Sequence, residues 1–226
     1  MKFEYKGSQY EYPATLDQVT LQQRIDFHNL YGRTFDENLL RIAEIEDLTE
    51  REIQLTELKV LFAVQSFSFF TGLSLDVIQA EFELSQVMNV YNTSLTMMLD
   101  EEAQLKPQDS YLFNDEEWVI APPIVSPQSK FTFNEFLTSK EIVRQLEQVG
   151  QKKWEALLHL CCIYLRKPGE AFNEDFVDPD GERLELMRKL PMNIALQVGF
   201  FLTVSMTSFM QLLQSSSVVA QAKEQT

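Results

Sequence analysis

Cys161 and Cys162 stand side by side, two residues after His159, and are the only thiols beside one of only two histidines in the chain. A thiol near an imidazole can serve as an activated nucleophile or contribute metal ligands. Here the run Leu157-Leu-His-Leu-Cys-Cys-Ile163 is rich in leucine, so buried thiols packed in a reducing compartment are the simpler expectation. Neighbouring residues of a helix point about 100° apart, so a disulfide between the two would be strained. His28 lies far away in sequence, with no Cys or His at ligand spacing around either histidine. Asp175, Asp178, Asp180, Gly181 and Glu185 suggest a calcium loop, but with Gly181 as its sixth residue the loop would begin at Phe176 and end at Met187. Both positions require carboxylates, so the motif fails. The acidic residues instead suit a turn and a helix start. No Gly-rich phosphate loop, nucleophile elbow or dinucleotide fingerprint is present, and the other carboxylates are scattered without an acid or base partner. These residues therefore predict no catalytic residue, no metal and no cofactor.

The elements that carry these residues are mainly helices. Of 226 residues, 45% are hydrophobic, 17 are Phe and only 7 are Gly, which fits a helix-rich globular chain. A net charge of −15 disfavours nucleic acid and anionic membrane surfaces, and favours a protein partner with basic patches. The N-terminal residues lack the apolar core of a secretory signal, which points to synthesis in the cytoplasm.

Phe3, Tyr5, Tyr10 and Tyr12 alternate around a Lys6–Gln9 turn and predict a β-hairpin with one aromatic face, ended by Pro13. Capping boxes at Thr20, Thr34 and Thr49 predict helices from Leu21 to Tyr31 (closed by Gly32), over Leu39 to Ile45, and on to Gly72. Ser74 caps a short helix, and Leu84 to Leu99 reads as another. Residues 101–130 read as loop containing a second hairpin, Tyr111–Phe113 with Trp118–Ile120. A box at Thr132 opens a helix to Val149, and Lys153 to Lys167 forms the next. A short helix covers 182–190. Hairpin, proline and capped helix thus occur twice, at 3–31 and at 111–149, which suggests a duplication. The expected fold is mostly α, a helical bundle with two small β-hairpins, in three parts: 1–100, 101–130 and 131–226.

No charged residue occurs between Lys189 and Lys223. A helix from 192 to about 214 must therefore be hidden in a core, against a partner, or in a membrane. Its Asn, Gln, Ser and Thr residues, and the absence of a basic cluster at its end, leave membrane insertion the least favoured of the three.

Two stretches resemble a known group. The first is Phe3, Tyr5, Gly7, Tyr10 and Pro13 followed by Thr20, Leu21, Gln23, Ile25 and Asp26. The second is Tyr164, Arg166, Lys167, Gly169 and Glu170, then Phe172 and Glu174, Glu185 to Met187, Leu190 to Met192, and Ala195, Val198, Phe200 and Phe201. Together they resemble small helical proteins encoded in the structural and assembly gene blocks of tailed bacteriophages, particularly phages of Bacteroidetes hosts. The resemblance implies a non-enzymatic virion component at the portal or tail connector, ring-type or homo-oligomeric, touching other phage structural proteins. A tail assembly chaperone or a packaged cargo protein are the alternatives. The residues expected at interfaces are Phe3, Tyr5, Tyr10, Tyr12, Trp118, Phe200, Phe201 and Phe209.

Overall fold

Both hairpins turn on two residues of positive φ: Lys6 and Gly7 (49° and 77°) in the first, Asn114 and Asp115 (55° and 58°) in the second. These are type I′ turns, whose twist matches that of the flanking strands, and each is tighter than the sequence expectation. The computed structural model describes residues 1–90, 92, 108–121, 133–148 and 153–202. It is mostly α-helical, with two small antiparallel sheets of two and three strands. The chain divides into two compact units, Met1–Ala103 and Gln104–Thr226.

In the N-terminal unit, β1 (Lys2–Tyr5) pairs with β2 (Ser8–Glu11), with Phe3 opposite Tyr10. The period-2 pattern puts their rings on one face. The α1 helix (Leu21–Phe27) starts with the expected capping box, in which Gln23 N–H donates to Thr20 Oγ1 (3.1 Å) and Thr20 N–H to Gln23 Oε1 (2.9 Å). Gly32 does not end this helix. His28–Gly32 forms a single π turn that runs directly into α2 (Arg33–Ala43). Gly32 is in ordinary helical geometry (φ −64°, ψ −37°), and a side chain there is excluded because His28 packs across it: a Cβ would overlap the imidazole Nδ1 and lie 3.0 Å from Cγ. Thr34 is therefore inside a helix and caps nothing. The long helix α3 (Leu48–Thr71) is capped by Asp47, which accepts from Glu50 N–H at 2.9 Å, and not by Thr49. It ends at Gly72, whose φ of 74° is the left-handed geometry of a helix stop. Ser74 caps α4 (Leu75–Glu81), and α5 (Leu84–Val90) follows. The continuation of that helix to Leu99 lies outside the described residues.

Aromatic rings fill this unit. Phe62 and Phe67 of α3 are buried, with Phe27 5.2 Å from Phe62, Phe35 4.2 Å from Phe62 and Tyr12 5.7 Å from Phe67.

In the C-terminal unit, β3 (Tyr111–Phe113) pairs with β4 (Glu116–Ile120), and β4 pairs in turn with β5 (Leu165–Arg166). The third strand corrects the sequence reading. The helix expected to run to Lys167 is α7 (Lys153–Tyr164), and the chain passes from it into β5 without a loop. The second hairpin, read from the sequence as part of a separate segment, is therefore integral to this unit's sheet. Its embedding differs from that of the first hairpin, which forms a two-stranded sheet of its own. Helix α6 (Phe133–Gln148) packs on α7, as does α8 (Glu182–Arg188), and α9 (Met192–Leu202) follows Pro191. Thr132 and Val149, the expected limits of the α6 helix, and the rest of the expected C-terminal helix lie outside the described residues. Among those residues, no single helix is long and apolar enough to cross a membrane.

Candidate functional site

The residues with the most reactive chemistry are closed in. Cys161 and Cys162 are both free thiols and fully buried. Burial pushes the Cys161 thiol well up and that of Cys162 up to about 12, despite Arg183 and Arg188 near the latter, so neither supplies a thiolate at neutral pH. Burial, and secondly the charge of Arg188, lowers the pKa of His159, which keeps its imidazole neutral. The acidic run forms local turns, with Asn173 accepting from Asp175 N–H and Asp178 from Asp180 N–H. Among the described residues, no group of three or more His, Cys, Asp and Glu is placed to hold a metal ion.

Two arginines that the sequence reading left unassigned organise this unit. Arg166 pairs with Glu135 of α6 at 3.0 Å, both side chains buried, and donates from Nε to Ile163 O at 2.7 Å. Arg183 lies over the rings of Trp118 (4.6 Å) and Phe176 (4.4 Å), donates to Leu165 O at 2.5 Å and pairs with Glu170 at 3.3 Å. These contacts bridge sheet and helices, and each guanidinium is held by a carboxylate, a carbonyl and a ring. That is the way a buried charge is made tolerable. Burial lowers the Arg183 pKa, in partial opposition to Glu170. Tyr164 donates to Ser139 Oγ at 3.1 Å, and Tyr111 to Gln197 Oε1 at 2.9 Å. The arrangement is an internal network of ion pairs, hydrogen bonds and ring contacts, in which Arg183 Nε is buried without a hydrogen-bond partner.

An open feature lies in the other unit. A groove of 420 Å³ runs along α3, lined by Thr56, Glu57, Val60, Leu61 and Val64 of that helix, and walled by Ile78 and Gln79 of α4, Phe82, and Leu84 and Val87 of α5. The groove is open to solvent, with Leu61 and Leu84 at its mouth 46% and 54% exposed. Ile53, two turns before Leu61 on the same face, is half-exposed as well.

The first hairpin fixes the groove's far wall. Phe82 sits 5.0 Å from Tyr5, 5.5 Å from Phe67 and edge-on to Phe3. Glu81 beside it accepts from Lys6 Nζ (2.7 Å) and Tyr5 Oη (2.5 Å), bonds that lower its pKa, Lys6 first. The aromatic face of the hairpin is thus spent on positioning the α4–α5 junction. Phe3, Tyr5 and Tyr10 are half-buried by it, and Tyr12 is 1% exposed. Trp118 is fully buried under Arg183. Tyr12 and Trp118 were expected at an interface. Both serve instead as core, because the strands they sit on are packed against their own unit. Of the C-terminal aromatics, Phe200 is 48% exposed, Phe201 is half-buried, and Phe209 lies outside the described residues.

The sequence carried one signal for the groove that the helix reading passed over. Ile53 and Leu61 interrupt a face that also bears Glu50 and Glu57, so α3 has exposed apolar residues on the side that lines the groove. The chain matches no protein-family model, no curated protein and no solved structure.

Proposed function

We propose that the protein works by protein–protein contact, as a non-enzymatic structural component of a tailed-phage particle in the portal or tail connector region. The observation that carries the contact role is the apolar groove on α3, with Leu61 and Leu84 presented at its mouth. A concave apolar bed of this kind is a surface that a partner side chain or helix can fill. The closed state of Cys161, Cys162 and the Arg166–Glu135 pair is consistent with it, since these groups contribute to packing and present nothing to a substrate. The resemblance of the Phe3–Asp26 and Tyr164–Phe201 stretches supports the placement in a virion, alongside other phage structural proteins and with several copies per particle.

The test is to purify the particle encoded with this gene and quantify the chain against the portal protein by mass spectrometry. A fixed ratio near that of the portal is expected. Absence from finished particles, together with binding to tail proteins before assembly, would replace this reading with an assembly chaperone. Absence from both would refute it.

A further inference from the structure

We infer that the α3–α5 groove seats an amphipathic helix of a partner protein, with Lys or Arg flanking its apolar stripe. This rests on the contact role proposed above and names the chemistry of the occupant.

Three observations select it. The bed is made of side chains from three helices, chiefly Val60, Leu61, Val64, Phe82, Leu84 and Val87. It offers no backbone ladder to an extended peptide, whereas a helix brings its own hydrogen bonds satisfied and buries only side chains. Next, the flanks are acidic. Glu57 lines the groove, Glu50 lies two turns before it on the same face, Asp76 is one turn from Gln79, and Glu83 adjoins Leu84. All four are exposed, and the contacts of two of them are with neutral groups: Glu50 accepts from Gln54 (2.6 Å) and Glu83 from Ser85 (3.3 Å). Carboxylates on both sides of an apolar bed complement cations on both sides of an apolar stripe. Finally, the same charge argues against other occupants. Nucleic acid and anionic lipid would be repelled, and a second copy of a chain of net charge −15 would set carboxylates against carboxylates.

The experiment uses the full chain and two labelled helical peptides of about 16 residues, long enough to span the groove. Both carry Leu at i, i+3, i+4 and i+7, one with Lys on the flanks and the other with Glu. Fluorescence anisotropy is expected to show saturable binding of the Lys peptide, at least about tenfold tighter than the Glu peptide and weakening as salt is raised. Leu61→Glu and Leu84→Glu, at exposed positions where folding should survive (checked by circular dichroism), should each weaken it about tenfold or more. Glu57→Lys should narrow the difference between the peptides from the Lys side. Equal affinity for both peptides, or binding that survives both leucine substitutions, would overturn the inference. So would a dimer that Leu61→Glu dissociates and the Lys peptide does not compete away. Failure here with the chain present in particles would leave the virion role standing. Selective peptide binding by a chain absent from particles, and without phage protein contacts, would reject the virion role and keep the groove.

Discussion

A methyl group at Gly32 would overlap the imidazole of His28, a residue only 6% exposed. Gly32→Ala is therefore expected to destabilise the protein by about 1–3 kcal/mol, the usual cost of overpacking. At an unobstructed helix position the same change would stabilise by about 0.5–1 kcal/mol. Urea unfolding gives the sign, and unchanged or greater stability would refute the packing of His28 on Gly32. His159 supplies a second test. Its folded pKa is lowered, by burial first, so the unfolded chain takes up a proton below about pH 6.5 that the folded chain resists. The unfolded state then binds more protons. Stability from this residue is complete above that pH and declines as pH falls below it. His159→Gln should flatten the dependence of unfolding free energy on pH between 8 and 5.5, and an unaltered slope would dismiss the effect. Cys162 gives the opposite sign. With its thiol near 12 in the fold and the unfolded group near 9, it disfavours folding only as pH rises above 9.

Among the helices, starts were legible where a side chain could act only in one frame. Thr20 with Gln23 and Ser74 cap as their spacing predicts. The start of α3 was not, because Asp47 and Thr49 compete as caps two residues apart, and only the backbone angles decide: Asp47 is extended while Thr49 is already helical. Asp47→Ala should cost about 1 kcal/mol and Thr49→Ala much less, compared by thermal or urea denaturation. Equal losses would contradict the assignment. Gly32 was misread as a stop because glycine signals both a chain reversal and a close approach, and the approach here comes from a histidine one turn away. The strand at Leu165–Arg166 was hidden for another reason. Its apolar–basic pair continues the pattern of α7, and nothing local distinguishes the last turn of a helix from a two-residue strand. Its partner, Val119–Ile120, is more than 40 residues away in sequence. The groove was obscure on similar grounds, since it arises where side chains of three helices meet and not from any motif. The aromatic hairpins were visible as strands, but whether their rings face a partner or their own unit is a matter of packing that alternation does not encode.

At the scale of the whole chain, each unit carries its own core: Phe62, Phe67 and Tyr12 in one, Trp118, Ile163 and Met187 in the other. A fragment ending at residue 103 is expected to show cooperative unfolding by circular dichroism and to retain the groove's ligand. A non-cooperative, dye-binding fragment would show that the units are not independent. The order of the strands has a further consequence for the chain as the ribosome releases it. The N-terminal hairpin meets Phe67 and Phe82 early, so the first unit can be complete while the second is still being made. The second sheet cannot close so soon, because β4 pairs with residues 165 and 166, at the far end of α7. For that interval the nascent chain carries an unpaired strand edge bearing Trp118, Val119 and Ile120, and this is the stage of synthesis most exposed to aggregation.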